Sequence, residues 1–174
     1  MTERIKWTDR RFNFDFPPRL YPEMIERTRG TPARLEDLLA GLSPEILTNQ
    51  LDCRWSMQEN AGHLLDLESL VEQRIDEYVA GNASLHAADM SNRKTYEASH
   101  NEVPIDSILK AFRTARHGIV HRLEGLDPDI FARSALHPRL NVQMRLVDML
   151  FFQAEHDDYH LARISELKKL LRKD

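Results

Sequence analysis

Cysteine, glycine and proline are all scarce in this chain of 174 residues, and each scarcity removes a class of protein. A single cysteine, Cys53, excludes an internal disulfide framework and suits a reducing cytoplasm. Six glycines and eight prolines are too few for a collagen-like or low-complexity chain, and 41% hydrophobic residues are too many for a disordered one. Charge of one sign is lacking too: 24 basic residues nearly cancel 28 acidic ones, and both are scattered. The one dense basic patch, Lys168, Lys169, Arg172 and Lys173, fits cations closing a helix C-terminus, so no nucleic-acid footprint remains. No apolar run approaches a membrane span, and the opening stretch MTERIKWTDRR has no apolar signal core. These absences predict a soluble cytoplasmic protein with no nucleic-acid or membrane partner.

What is present is helical periodicity. An arm over residues 1–16 alternates Phe12, Phe14 and Phe16 with polar residues, a period of two that suits an extended strap. Beyond it, residues 17–174 read as one domain. A first long helix runs from near Pro22 to about Leu42, with Gly30-Thr31-Pro32 expected to kink or break it. Ser43-Pro44-Glu45 starts a short helical turn. A second long helix begins after Ser56, with Glu59 completing a capping box, and ends at Ala80 before Gly81. A connection of some twenty residues leads to Pro104, which opens a third helix ending at Gly125. The fourth runs from Asn141 to about Arg172. Four long helices and no convincing sheet predict an all-α fold: an antiparallel four-helix bundle with a long connection.

Three histidines carry the chemistry. His156 and His160 stand four residues apart, on one side of the fourth helix. At about 100° per residue, Met149, Gln153, Ile164, Leu167 and Leu171 fall within about 40° of them, so the pair lies on the core-facing stripe. His63 shares its stripe with Leu67 and Leu70. Three neutral imidazoles on inward faces can hold a divalent transition metal and leave a coordination position open. His117 and His121 have the same spacing but lie opposite the apolar face of the third helix, so they are expected in solvent. A bland alternative also accounts for the inward trio, as core histidines bonded to carbonyls and carboxylates. The segment HDDYH is not a metalloprotease HExxH, because Asp157 is one methylene too short.

Around the trio, Glu59, Asp157 and Gln153 are the candidates for a base or an orienting group, with Asp66 as a partner for an imidazole. Asp66 and Asp157 fit a solvated rim equally well, and the capping box alone explains Glu59. Tyr159 fits a helix–helix or subunit seam. Asn92 and Arg93 lie in the long connection, where substrate-gripping residues often sit. His86, His100 and His137 are loop residues that could reach a cavity mouth, while Cys53, a lone loop cysteine a few residues before the second helix, is of a kind that is usually not a ligand.

The stretch Trp55-Ser56-Met57-Gln58-Glu59-Asn60-Ala61-Gly62-His63-Leu64, followed by His156-Asp157-Asp158-Tyr159-His160-Leu161-Ala162-Arg163-Ile164, resembles the DinB-like (DinB/YfiT) superfamily, over roughly Pro17 to Leu171. The resemblance implies a four-helix bundle in which His63, His156 and His160 match the family's metal ligands, with zinc or nickel as the ion and iron or manganese as substitutes. It implies a metal-dependent thiol S-transferase or a hydrolase acting on a small molecule. The transferase would use a low-molecular-weight thiol such as bacillithiol, mycothiol or glutathione as co-substrate. Two alternatives stay open: a metal-binding bundle without turnover, serving as sensor or interaction module, and a structural bundle without an ion. Relatives of this type are often homodimers, and the aromatic arm is expected either to fold over its own bundle or to reach a partner subunit.

Overall fold

The computed structural model describes residues 4–171. Four long helices, α1 (Tyr21–Leu39), α3 (Met57–Ala80), α5 (Ile105–Glu124) and α6 (Leu146–Leu171), form the bundle. Two short ones, α2 (Pro44–Leu47) and α4 (Arg93–Glu97), lie in the connections. Ser56 caps α3 by accepting from Glu59 N–H at 3.0 Å, while the Glu59 carboxylate accepts from Ser56 N–H at 2.7 Å. Gly81 stops the helix in the left-handed region, at φ 73°.

Helix α1 packs on α5 and α6, and so does α3. Cross-helix contacts give the directions. Residues 27 and 34 of α1 meet 155 and 158 of α6, so these two helices run parallel. Residues 68 and 76 of α3 meet 116 and 122 of α5, a second parallel pair. Against each other the two pairs are antiparallel: Asn60 meets His160, whereas Tyr78 meets Met144. The parallel neighbours α3 and α5 explain the long connection, because the chain must return the length of α3 before α5 begins. It does so alongside α3, with the His86 carbonyl at Arg74, His100 at Asp66 and the Val103 carbonyl at Gln58.

The apolar core is split in two. One half gathers Ile25, Val71, Ile75, Ile119, Leu123 and Met149, the other Leu35, Leu64, Ile108, Phe112, Leu161 and Ile164. Between them lies a buried polar layer to which all four long helices contribute. Arg116 of α5, 1% exposed, grips Glu68 of α3 at 2.7 Å and Asp157 of α6 at 2.6 Å. Thr31 of α1 donates to Asp157 at 2.8 Å.

Three sequence expectations change here. Helix α1 is continuous through Gly30-Thr31-Pro32, with Pro32 inside it. A proline cannot donate to the carbonyl four residues back. That carbonyl, of Thr28, accepts instead from Arg116 Nη1 at 3.3 Å. The fourth helix starts at Leu146 rather than Asn141, because the preceding residues form an antiparallel hairpin, β1 (Ser134–His137) with β2 (Val142–Arg145). Asn141, at φ 53°, turns it. Asp157 is fully buried as the partner of Arg116 and so belongs to no solvated rim. Among the described residues no helix is long and apolar enough to cross a membrane.

The arm folds over its own bundle. Phe12 packs edge-on to Phe152 at 4.9 Å, Phe14 and Phe16 pack on Phe151, and Arg145 donates to the carbonyls of Phe14 and Phe16.

Candidate metal centre

His63, His156 and His160 converge: each offers a ring nitrogen within 4.8 Å of those of the other two, and all three are buried. Helix α3 supplies the first and α6 the other two, from antiparallel helices in direct contact. His160 Nε2 and His156 Nε2 stand 3.2 Å apart.

The surroundings settle which nitrogen of His160 carries its proton. The Asn60 amide donates to the carbonyls of Ser56, at 2.7 Å, and Trp55, which turns its oxygen to His160 Nδ1 at 2.8 Å. His160 Nδ1–H is therefore the donor, and Nε2 keeps its lone pair. His63 Nδ1 lies 3.0 Å from the Thr95 hydroxyl. A hydroxyl that accepts from Nδ1–H holds the tautomer whose Nε2 keeps its lone pair. The His160 Nε2 lone pair thus faces the imidazole of His156, whose Nδ1 has no hydrogen-bond partner.

Burial keeps the trio neutral. It pushes His63 down to about 4, against a weaker opposite pull from Asp66. His156 and His160 fall well below the usual imidazole range, first through burial and then because each imidazole disfavours charge on its neighbour. Neutral nitrogens with converging lone pairs are what a divalent cation needs, so the donor set fits one.

The support behind His63 extends one residue further. His100 Nε2 lies 2.8 Å from Asp66. Burial raises the Asp66 carboxyl, and its polar neighbours, His100 first, more than offset that, leaving it below its ordinary value. Gly62 makes this packing possible, since a Cβ there would fall 2.2 Å from the His100 ring. His100 and Thr95 both come from the returning connection, and the sequence reading passed over Thr95 because a lone threonine in a loop carries no signal.

Above the trio opens a cavity of about 650 Å³. Trp7, Trp55, Phe152 and Tyr159 wall it, with Trp7 edge-on to His156 at 4.9 Å and Trp55 over His63 at 4.7 Å. Gln153, Asn92, His137 and the exposed Cys53 also line it. Tyr159 therefore serves the cavity wall, where Arg4 lies over its ring at 4.4 Å. Neither acidic candidate reaches the cavity. Glu59 is held by its cap and by Gln50 at 2.8 Å, and Asp157 is turned to Arg116 with Gln153 donating to it at 3.1 Å. Arg93 is exposed, beside Glu97 at 3.9 Å, and the His86 side chain is exposed as well. His117 and His121 face solvent, as their angular positions predict.

Among curated proteins none matches this chain. Of solved structures, YfiT from Bacillus subtilis, described as a probable metal-dependent hydrolase with an unusual four-helix bundle topology, superposes with a TM-score of 0.79 at 17% identity over 92% of each chain. A mycothiol-dependent maleylpyruvate isomerase superposes at 0.66 with 11% identity, over 85% of this chain and 60% of its own. These likenesses establish a shared fold. The DinB superfamily model matches residues 27–164, a span that includes all three histidines. The chain belongs to the DinB superfamily.

Proposed function

We propose that His63, His156 and His160 hold a divalent transition metal, zinc or nickel, and that the protein is a metal-dependent hydrolase or thiol S-transferase acting on a small molecule. The observation that carries this reading is the convergence of three neutral imidazoles, one with its tautomer fixed by Asn60 and one bonded to Thr95, at the floor of a cavity. An ion held by neutral ligands keeps its full charge and lowers the pKa of a thiol or water beside it. Asn60 behind His160 and Thr95 behind His63 orient the ligands. Trp7, Trp55 and Phe152 keep bulk water from the floor, and the cavity volume suits a small substrate with or without a thiol co-substrate. The descriptions of the two structural relatives, one as a probable metal-dependent hydrolase and one as mycothiol-dependent, favour the same two chemistries.

Of Glu59, Asp157 and Gln153, only Gln153 lines the cavity, which leaves it as the one of the three placed to contact a substrate. The expected assembly is a homodimer, with the arm over its own bundle; light scattering that finds a monomer at micromolar concentration removes it. A conjugation screen with bacillithiol, mycothiol and glutathione, run beside an esterase and amidase panel on the metal-loaded protein, tests turnover. Activity that requires both metal and His160 supports the proposal. Stoichiometric metal with no turnover in any arm moves the protein to the sensor or interaction reading.

A further inference from the structure

The cations lining the cavity are not alike. Arg4 and Arg163 share Glu166, at 3.9 and 2.9 Å. Arg74 and Arg139 have no carboxylate partner among the described residues, although Arg74 is only 5% exposed. Arg74 spends Nε and Nη2 on one neutral acceptor, the His86 carbonyl, at 3.1 and 2.9 Å. Glu77, which acts on Arg74 through space, is itself bonded to His86 N–H at 2.7 Å. Arg139 lies over Phe152 and Trp7, at 5.4 and 5.7 Å, and its Nη2 is buried without a partner. Burial pulls both guanidiniums below their ordinary range, and the charge on Arg139 makes that on Arg74 harder to keep.

His137 joins them. It is 2% exposed and packs edge-on to Phe152 at 5.2 Å. Its Nδ1 accepts from Leu140 N–H at 3.2 Å, so the neutral ring carries its proton on Nε2, which is buried with no acceptor. The described residues contain three buried side-chain polar atoms without a partner: His137 Nε2, Arg139 Nη2 and His156 Nδ1. All three belong to residues lining this one cavity. Buried donors and unpaired buried charge each cost free energy, and one anion would satisfy both.

We propose that Arg74, Arg139 and His137 form an anion subsite that takes the carboxylate of a small organic acid, across Trp7 and Phe152 from the three-histidine cluster. The inference deepens the reading of the cavity as a substrate site and rests on it. A carboxylate suits the donors better than a phosphate does. The inward set is one neutral imidazole N–H and what remains of two guanidiniums, with no helix N-terminus among the residues forming it, whereas phosphate sites commonly use one. The acid's apolar body would lie on Trp7 and Phe152.

The test is a calorimetric titration of the full-length protein, purified without a histidine tag, with 4-phenylbutyrate, its neutral amide and inorganic phosphate. Metal content is measured on the same samples. The acid is expected to bind at one site per chain, at least tenfold tighter than the amide. Arg139→Gln, at a half-buried hairpin position, should weaken the acid at least tenfold, leave the amide unchanged and keep wild-type metal content; Arg139→Lys should restore part of the loss. His137→Phe should weaken the acid in the same direction. Equal binding of acid and amide, or acid binding untouched in Arg139→Gln, overturns the subsite. Phosphate that displaces the acid at equal concentration overturns the carboxylate assignment. Acid binding that depends on Arg139 in protein holding no metal would sink the three-histidine reading alone, and metal without acid binding would sink the subsite alone.

Discussion

Two polar clusters sit in the same buried layer, on the same helices, and they are finished differently. In the Glu68–Arg116–Asp157 cluster the charges meet one another: Arg116 takes both carboxylates, and Thr31 and Gln153 donate to Asp157. In the histidine cluster, one residue along from Asp157, nitrogens face nitrogens and His156 Nδ1 has no partner. A closed network fastens helices to one another. An open one, neutral and walled by aromatics, is what the proposed metal ion would complete. The difference separates what holds the bundle together from what the bundle is for.

The largest effect is expected at Arg116. Its guanidinium is held charged, above its ordinary range, because the two carboxylates outweigh the cost of burial. Burial is also the main force raising the Glu68 carboxyl. Arg116→Leu leaves two carboxylates buried without a counter-charge and should cost about 3–5 kcal/mol of stability. Urea unfolding measures this. A loss below about 1 kcal/mol would mean that the cluster does not fasten the bundle.

That cluster also shows what the sequence hid. Arg116 lies on the stripe of Phe112, Ile119 and Leu123, so a cation on an apolar face was a readable signal. Its partners were not readable, because Glu68 and Asp157 are brought to it by other helices, 48 and 41 residues away. For the same reason Pro32 looked like a helix break: the group that takes up the freed Thr28 carbonyl comes from α5. The hairpin escaped because four-residue strands give too little alternation to register against the helical pattern that follows. The histidine trio was legible because helical spacing and an apolar face act locally on α3 and α6. The same arithmetic separated it from His117 and His121.

A second break comes from acid. His63 and His137 are pushed down to about 4 by burial, from an ordinary value of 6.5. Between these values the unfolded chain binds protons that the folded chain refuses, so stability is complete above about pH 6.5 and falls as pH drops toward 4. Each of the two should contribute roughly 2 kcal/mol of loss between pH 7 and pH 5 in metal-free protein. His156 and His160 act in the same direction. Urea unfolding at the two pH values checks this, and equal stability at both would contradict the buried, neutral assignment.

A smaller and sharper effect is expected at Asn60. Its amide oxygen fixes the His160 tautomer from outside the cluster. Asn60→Ala should leave the bundle folded and weaken metal binding about 10- to 100-fold, as loss of a partner behind a ligand does. Competition with a chromophoric chelator reads this, and unchanged affinity would show that the tautomer needs no such support.

The central claim, that the open cluster is completed by a metal ion, is tested most directly by metal stoichiometry. Protein purified without a histidine tag is analysed by elemental mass spectrometry beside His160→Ala and the solvent-facing control His117→Ala. Close to one divalent ion per chain is expected in the parent and in His117→Ala, and none in His160→Ala. A parent protein that stays metal-free after incubation with zinc or nickel, or a His160→Ala variant that keeps its ion, would contradict the claim.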